Sequence, residues 1–254
     1  MQWIPEYRDD VPRVERFTWL ARFTHWGHTV TFLLCLFTGL ILFLDGVDWL
    51  AFIFGGYAGA GWVHRISALT MTALIGFGLV FGFRGVLLWI VDLMRFGIND
   101  LKFIALFPLE FLGFKVNVPP QTRFNGGEKG NSMVTPTMVF LLVISGYIMW
   151  FPSYFPAGLV RVAYPTHDLA MIFSTVMVCM HGYLGSFHPG SGESFWGMWK
   201  GTVREDWAKH HHALWYEETY GSKSGPGSPG TKTVFGIPIF YDDEKNKKAK
   251  TEAE

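Results

Sequence analysis

The run from Leu169 to Met180 carries no charged side chain and is bracketed by His167 and His181. Fourteen residues along an α-helix correspond to a rise of about 21 Å and nearly four whole turns, so both imidazoles project from one face. With its flanks, the segment matches a hydrocarbon core of roughly 30 Å. Ionisable side chains at such positions are costly and point to function. Either histidine alone reads equally well as an interfacial residue. Two further histidines, His25 and His64, stand at matching depths on other apolar runs and weigh against that.

Composition fixes the class. Half of the 254 residues are apolar and only 17% are charged, against about 25% in a soluble domain. Apolar runs at about 23–44, 62–83, 132–151 and 167–187 predict an all-α, polytopic membrane four-helix bundle. Residues 1–22 form a polar segment before it, 188–220 a Trp-rich amphipathic stretch, and 221–254 a polar, irregular extension. Residues 1–22 are too acidic, and too long before the apolar run, to resemble a signal peptide. Cys35 and Cys179 both fall inside apolar runs and no Cys-x-x-Cys-His occurs. Covalent c-type haem, a Cys-ligated cluster and a disulfide framework are therefore poorly supported. No nucleophile, phosphate loop or nucleic-acid footprint is found.

Formal net charge is zero, but the charge is not spread evenly. Nineteen of the twenty-one Lys and Arg lie before the first run, between the second and third, or after the fourth; only Arg65 and Arg161 lie on the other side. The positive-inside rule then predicts both termini and the 84–131 loop in the cytoplasm. His25 and His181 fall near the cytoplasmic face, and His64 and His167 near the outer face. Opposed imidazoles from different helices are a common way to hold a six-coordinate b-type haem in a bundle, with the iron carrying single electrons. Two stacked sites make a transmembrane electron path. A zinc or manganese transporter would bring carboxylates to the same depth, and only Asp168 is available. His28, three residues from His25, is the competing ligand. His188 reads as a surface or propionate-contacting residue, and His210, His211 and His212 as solvated or subunit-contacting ones.

Several motifs in order resemble the cytochrome b (gamma) subunit of respiratory formate dehydrogenases: Arg22-Phe23-Thr24-His25-Trp26, Val63-His64-Arg65, His167 with His181, Arg123-Phe124-Asn125-Gly126-Gly127-Glu128-Lys129, and Trp207 to Glu217. The resemblance covers roughly residues 15 to 218. It implies two haems b, with His25 and His181 on the cytoplasmic-side haem and His64 and His167 on the periplasmic-side one. It also implies a menaquinone or other quinone site near the cytoplasmic haem, involving Asn125, Gly127 and Glu128. Glu128 stands where the family commonly has an amide; the alternative for this stretch is a simple turn before the third helix. Implied partners are an iron–sulfur subunit and a molybdenum- or tungsten-containing catalytic subunit in a bacterial inner membrane. The chain itself would not convert the primary substrate. Cytochrome b subunits of hydrogenase or thiosulfate/polysulfide reductase complexes are the near alternatives, and a haem-free membrane anchor is the remaining one.

Overall fold

The computed structural model describes residues 6–188 and 190–221, together with the backbone of 233–234 and 237–238. Four helices are long and apolar enough to cross a membrane: α1 (Trp19–Phe43), α2 (Tyr57–Phe81), α5 (Gly126–Trp150) and α6 (Ala157–Gly182). Two shorter helices, α3 (Phe83–Met94) and α4 (Ile98–Phe111), lie between α2 and α5, and α7 (Glu193–Lys200), α8 (Glu205–His211) and α9 (Ala213–Tyr220) follow α6. The fold is all-α apart from short ribbons: β1 (Arg13–Glu15) pairs antiparallel with β2 (Thr202–Arg204), and β3 (Thr233–Val234) with β4 (Ile237–Pro238). The last pair is a local departure from the irregular extension expected over 221–254. The rest of that extension lies outside the described residues.

All four long helices begin earlier than the hydropathy pattern suggests, and the reasons are local. Thr18 caps α1, its Oγ1 accepting from the Ala21 amide at 3.3 Å. Helix α2 starts directly after Gly55 and Gly56, both at positive φ, so Gly59 and Gly61 belong to its first turns instead of to a loop. At α5, Asn125 and Glu128 form a reciprocal capping box: Asn125 Oδ1 accepts from the Glu128 amide, and Glu128 Oε2 from the Asn125 amide, both at 2.8 Å. The polar stretch before Ser132 is therefore helical, and Pro136 lies inside α5. Helix α6 begins at Ala157, ten residues before His167, and carries Pro165 in its interior. Its end passes through a π-helical turn at Tyr183–Phe187.

The bundle is two antiparallel hairpins. Close backbone packing lies within α1–α2 and within α5–α6, and links between the two pairs are sparse. Most of the apolar side chains on these helices face outward, among them Phe43, Val80, Phe140 and Phe173, which suits a lipid environment. Helix α4 also exposes Ile98, Leu101, Ile104, Leu109 and Phe111.

At one end, β1 and β2 tie the segment before α1 to the segments after α6. Val203, Ala208 and Trp215 form a small core there, with Val14, Trp207, Tyr216 and Tyr220 packed around it. Residues 188–220 are thus a folded cap, not merely an amphipathic strip. His212 corrects a sequence expectation: it is 1% exposed and its Nδ1 pairs with the Thr122 carbonyl at 2.8 Å. Burial, with Arg16 nearby, holds its imidazole well below the ordinary histidine range. Burial likewise lowers His211 to about 4. Both rings are neutral in the folded cap, whereas unfolded histidine takes up a proton near pH 6.5. Their contribution is therefore complete above about pH 6.5 and is lost as pH falls from there towards 4. Limited proteolysis between residues 190 and 220 should accelerate across that window. A cleavage rate constant from pH 7 to pH 4.5 would refute the assignment.

Candidate functional site: two histidine pairs between the hairpins

Four histidines join what the backbone leaves apart. Near the ribbon end, His25 of α1 and His181 of α6 face each other with ring centroids 6.0 Å apart and planes at 61°. Towards the other end, His64 of α2 and His167 of α6 face each other at 6.2 Å and 60°. Two imidazoles bonded to one metal ion from opposite sides, at about 2 Å per bond, place their ring centroids roughly 6 Å apart. Each pair fits that span. Among the described residues no comparable approach of His28 to His181 occurs, and His28 Nε2 is buried without a partner. Helical rise puts the two pairs about 20 Å apart along α6. Ser174 stands seven residues from each histidine, fully buried, with its hydroxyl unpartnered.

The His64–His167 pair is held by groups of the partner helix in each hairpin. His64 Nδ1 lies 3.0 Å from the Cys35 carbonyl oxygen and 3.1 Å from Thr38 Oγ1. His167 Nδ1 lies 2.9 Å from Ser145 Oγ. A glycine follows each hydroxyl residue, and a Cβ there would come within 3.3 Å of the ring Cε1, Gly39 against His64 and Gly146 against His167. With both Nδ1 atoms engaged, Nε2 is the ring nitrogen of each histidine left to hold a metal. Gly27 and Gly39 stand out in the sequence as small residues in the first apolar run that allow another helix or a flat ligand to approach, whereas Thr38, Ser145 and Gly146 were missed. The available signal was a Thr-Gly and a Ser-Gly pair inside otherwise apolar runs. Gly27, by contrast, serves helix packing, since a Cβ there would meet Leu74 Cδ1 at 2.7 Å.

The loop singled out for quinone lies at the N-terminus of α5, on the side of His181, whose environment includes the Glu128 charge. Asn125 Oδ1 and Glu128 Oε2 are spent on the capping box, and Glu128 Oε1 pairs with Arg16 Nη2 at 3.3 Å. Gly126 is a packing residue: a Cβ would meet the Asp100 carbonyl oxygen at 2.4 Å. Gly127 sits against Phe103. His188, next to this region, stacks on Phe111 at 5.2 Å and meets Tyr183 edge-on. His210 and His211 pack edge to face in α8.

Residues 16–201 match the family described as prokaryotic cytochrome b561. The chain belongs to that family. It is also similar to the nitrate-inducible formate dehydrogenase cytochrome b556(Fdn) subunit of Escherichia coli K12, 28% identical over 211 residues, which span 81% of this chain and 91% of the relative. The formate dehydrogenase cytochrome b556 subunit of Haemophilus influenzae is 29% identical over 217 residues, 83% of this chain and 85% of the relative. The formate dehydrogenase cytochrome b556(fdo) subunit of Escherichia coli K12 is 26% identical over 212 residues. This family membership and the four apolar helices identify the chain as a transmembrane cytochrome b, similar to the cytochrome b556 subunits of formate dehydrogenases.

Proposed function

We propose that this cytochrome b holds two haems b between its hairpins and connects an extracytoplasmic iron–sulfur subunit to a quinone near the cytoplasmic face. The observation that carries the reading is the pairing of four histidines at two levels, with ring separations of 6.0 and 6.2 Å. His25 and His181 hold the inner group, His64 and His167 the outer. When bound, the two groups supply reversible one-electron transfer across the bundle. The residues of the chain do the rest: α6 fixes the vertical spacing, Gly39 and Gly146 admit the outer rings, and the lipid-facing side chains keep water out.

Orientation rests on charge. The segments before α1, between α2 and α5 and after α6 hold nineteen of the twenty-one Lys and Arg in the sequence, and by the positive-inside rule the ends of the helices they flank face the cytoplasm. The quinone is placed beside His181, against Asn125, Gly127 and Glu128. The Glu128 carboxylate is paired with Arg16, and the quinone draws its protons from the cytoplasm. Moving an electron inward opposes a membrane potential by about 2.3 kcal/mol per 100 mV, so the donor must be strongly reducing. Formate oxidised by a molybdenum- or tungsten-containing partner satisfies that requirement, and the names of the relatives support it.

The test is a reduced-minus-oxidised visible spectrum of the purified protein with haem counted per chain. Two b-type haems are expected. None would favour a haem-free anchor for the same complex, and one would remove the transmembrane path. Co-purification with a nickel–iron subunit in place of a molybdenum or tungsten one would move the chain to the hydrogenase cytochromes.

A further inference from the structure

We propose that Ser145, and Thr38 together with the Cys35 carbonyl, position and fix the protonation tautomer of His167 and His64 and so tune the outer haem; this rests on the proposed role of those histidines as its ligands. The argument is one of proton counting. Each hydroxyl has a single proton to donate. Thr38 Oγ1 lies 2.6 Å from the Leu34 carbonyl oxygen, four residues back in α1, and 3.3 Å from that of Cys35. Ser145 Oγ lies 2.6 Å from the Leu141 carbonyl oxygen, four residues back in α5, and 3.3 Å from that of Leu142. In both helices the short contact takes the proton. The hydroxyl oxygen is then left as an acceptor, so the Nδ1 atoms of His64 and His167, at 3.1 and 2.9 Å, must bring the hydrogen; at His64 the Cys35 carbonyl oxygen, 3.0 Å from Nδ1, accepts the same hydrogen beside Thr38.

The tautomer is thereby set without any metal: Nδ1 protonated, Nε2 bearing the lone pair an iron needs. The same device occurs twice, in helices of different sequence: a hydroxyl residue, its back-bonded carbonyl, and a following glycine that lets the imidazole approach. The inner pair lacks it. His25 Nδ1 is buried with no partner, and no hydrogen bond to His181 occurs among the described residues. A hydrogen bond from Nδ1–H raises the basicity of the ligating nitrogen and fixes the ring orientation. Stronger donation favours the ferric state, so removing the acceptor should raise the midpoint potential of the outer haem and leave the inner one alone.

The experiment uses the full chain purified with its haems, titrated potentiometrically at the visible α-band, with electron paramagnetic resonance of the oxidised form. The outer component is the one absent in His64→Ala. Ser145→Ala should shift that component to higher potential and move its low-spin signal, and Thr38→Val should do the same by a smaller amount because the Cys35 carbonyl still accepts from His64, while the inner component stays put; Thr38→Ser should restore the parental values. Unmoved potentials and signals in both variants, or equal shifts of both haems, would overturn the proposal. If Thr38→Val loses the outer haem, retention in Thr38→Ser supports the positioning role, and loss in both variants overturns it. Fewer than two haems in the unsubstituted chain defeats the functional reading as well, whereas two haems with unmoved potentials defeats this inference alone.

Discussion

Replacing His64 by alanine should halve the haem content of the purified protein, and replacing both His167 and His181 should leave it colourless. The expectation follows from the separation of the two sites. Each pair takes one histidine from α6 and one from the α1–α2 hairpin, and about two turns of helix separate Ser174 from either level. Loss at one level therefore need not disturb the other, because the packing of each hairpin is carried within the hairpin itself. His64→Ala and His167→Ala should abolish the same spectral component, and His25→Ala and His181→Ala the other. His28→Ala should keep both haems, because His28 makes no ring approach to His181 among the described residues. With either haem gone, electron transfer from the outer partner to quinone should fall below detection, since the path is serial. A His28→Ala protein that loses a haem while His25→Ala keeps two would reassign the inner ligand.

How much of this was readable from the chain depends on which forces acted locally. The four apolar runs and the depths of His25, His64, His167 and His181 were legible, because hydropathy and helical spacing survive any detail of packing. The starts of α5 and α6 were not. Glu128, Lys129 and Asn131 look like loop residues by polarity. They are helical because Asn125 and Glu128 cap the turn reciprocally and because Lys129 finds a buried partner on α4. Pro136 and Pro165 look like boundaries, yet both sit inside long helices, where an apolar environment makes the helix the only way to satisfy the remaining backbone groups. The Thr38 and Ser145 contacts were illegible for another reason. They depend on the register between helices in each hairpin, which brings residue 38 to residue 64 and residue 145 to residue 167, and no spacing rule along one chain predicts that register. His212 was misjudged because its burial belongs to a cap whose core is assembled from segments about 190 residues apart.

The second large effect concerns the architecture of the ribbon end. Lys129→Met should destabilise the protein by about 3–5 kcal/mol, the usual result of leaving one buried charge without its partner. Lys129 is completely buried, and its Nζ donates to both Asp100 carboxylate oxygens at 2.9 Å and to the Arg95 carbonyl oxygen at 3.1 Å. The ion pair is only half of the joint. Asp100 Oδ2 also accepts from the Gly97 amide at 2.8 Å, capping α4, and the Asp100 backbone sits directly against Gly126 at the start of α5. Gln121 Oε1 in turn takes the Gly126 amide at 3.0 Å. The starts of α4 and α5 are therefore bolted together next to Asn125 and Glu128. Breaking the joint should loosen the α4–α5 connection before it touches the outer pair. The expected pattern in Lys129→Met is a lower unfolding midpoint, faster proteolysis between residues 95 and 125, weakened quinone reactivity and an unchanged outer haem. Asp100→Asn together with Lys129→Met should recover part of the loss, because it removes both charges while keeping a side-chain acceptor for the Gly97 amide. If Lys129→Met unfolds at the parental midpoint, the pair contributes no net stability. If the double variant is worse than either single one, the Asp100 carboxylate is required for capping and packing, not for its charge.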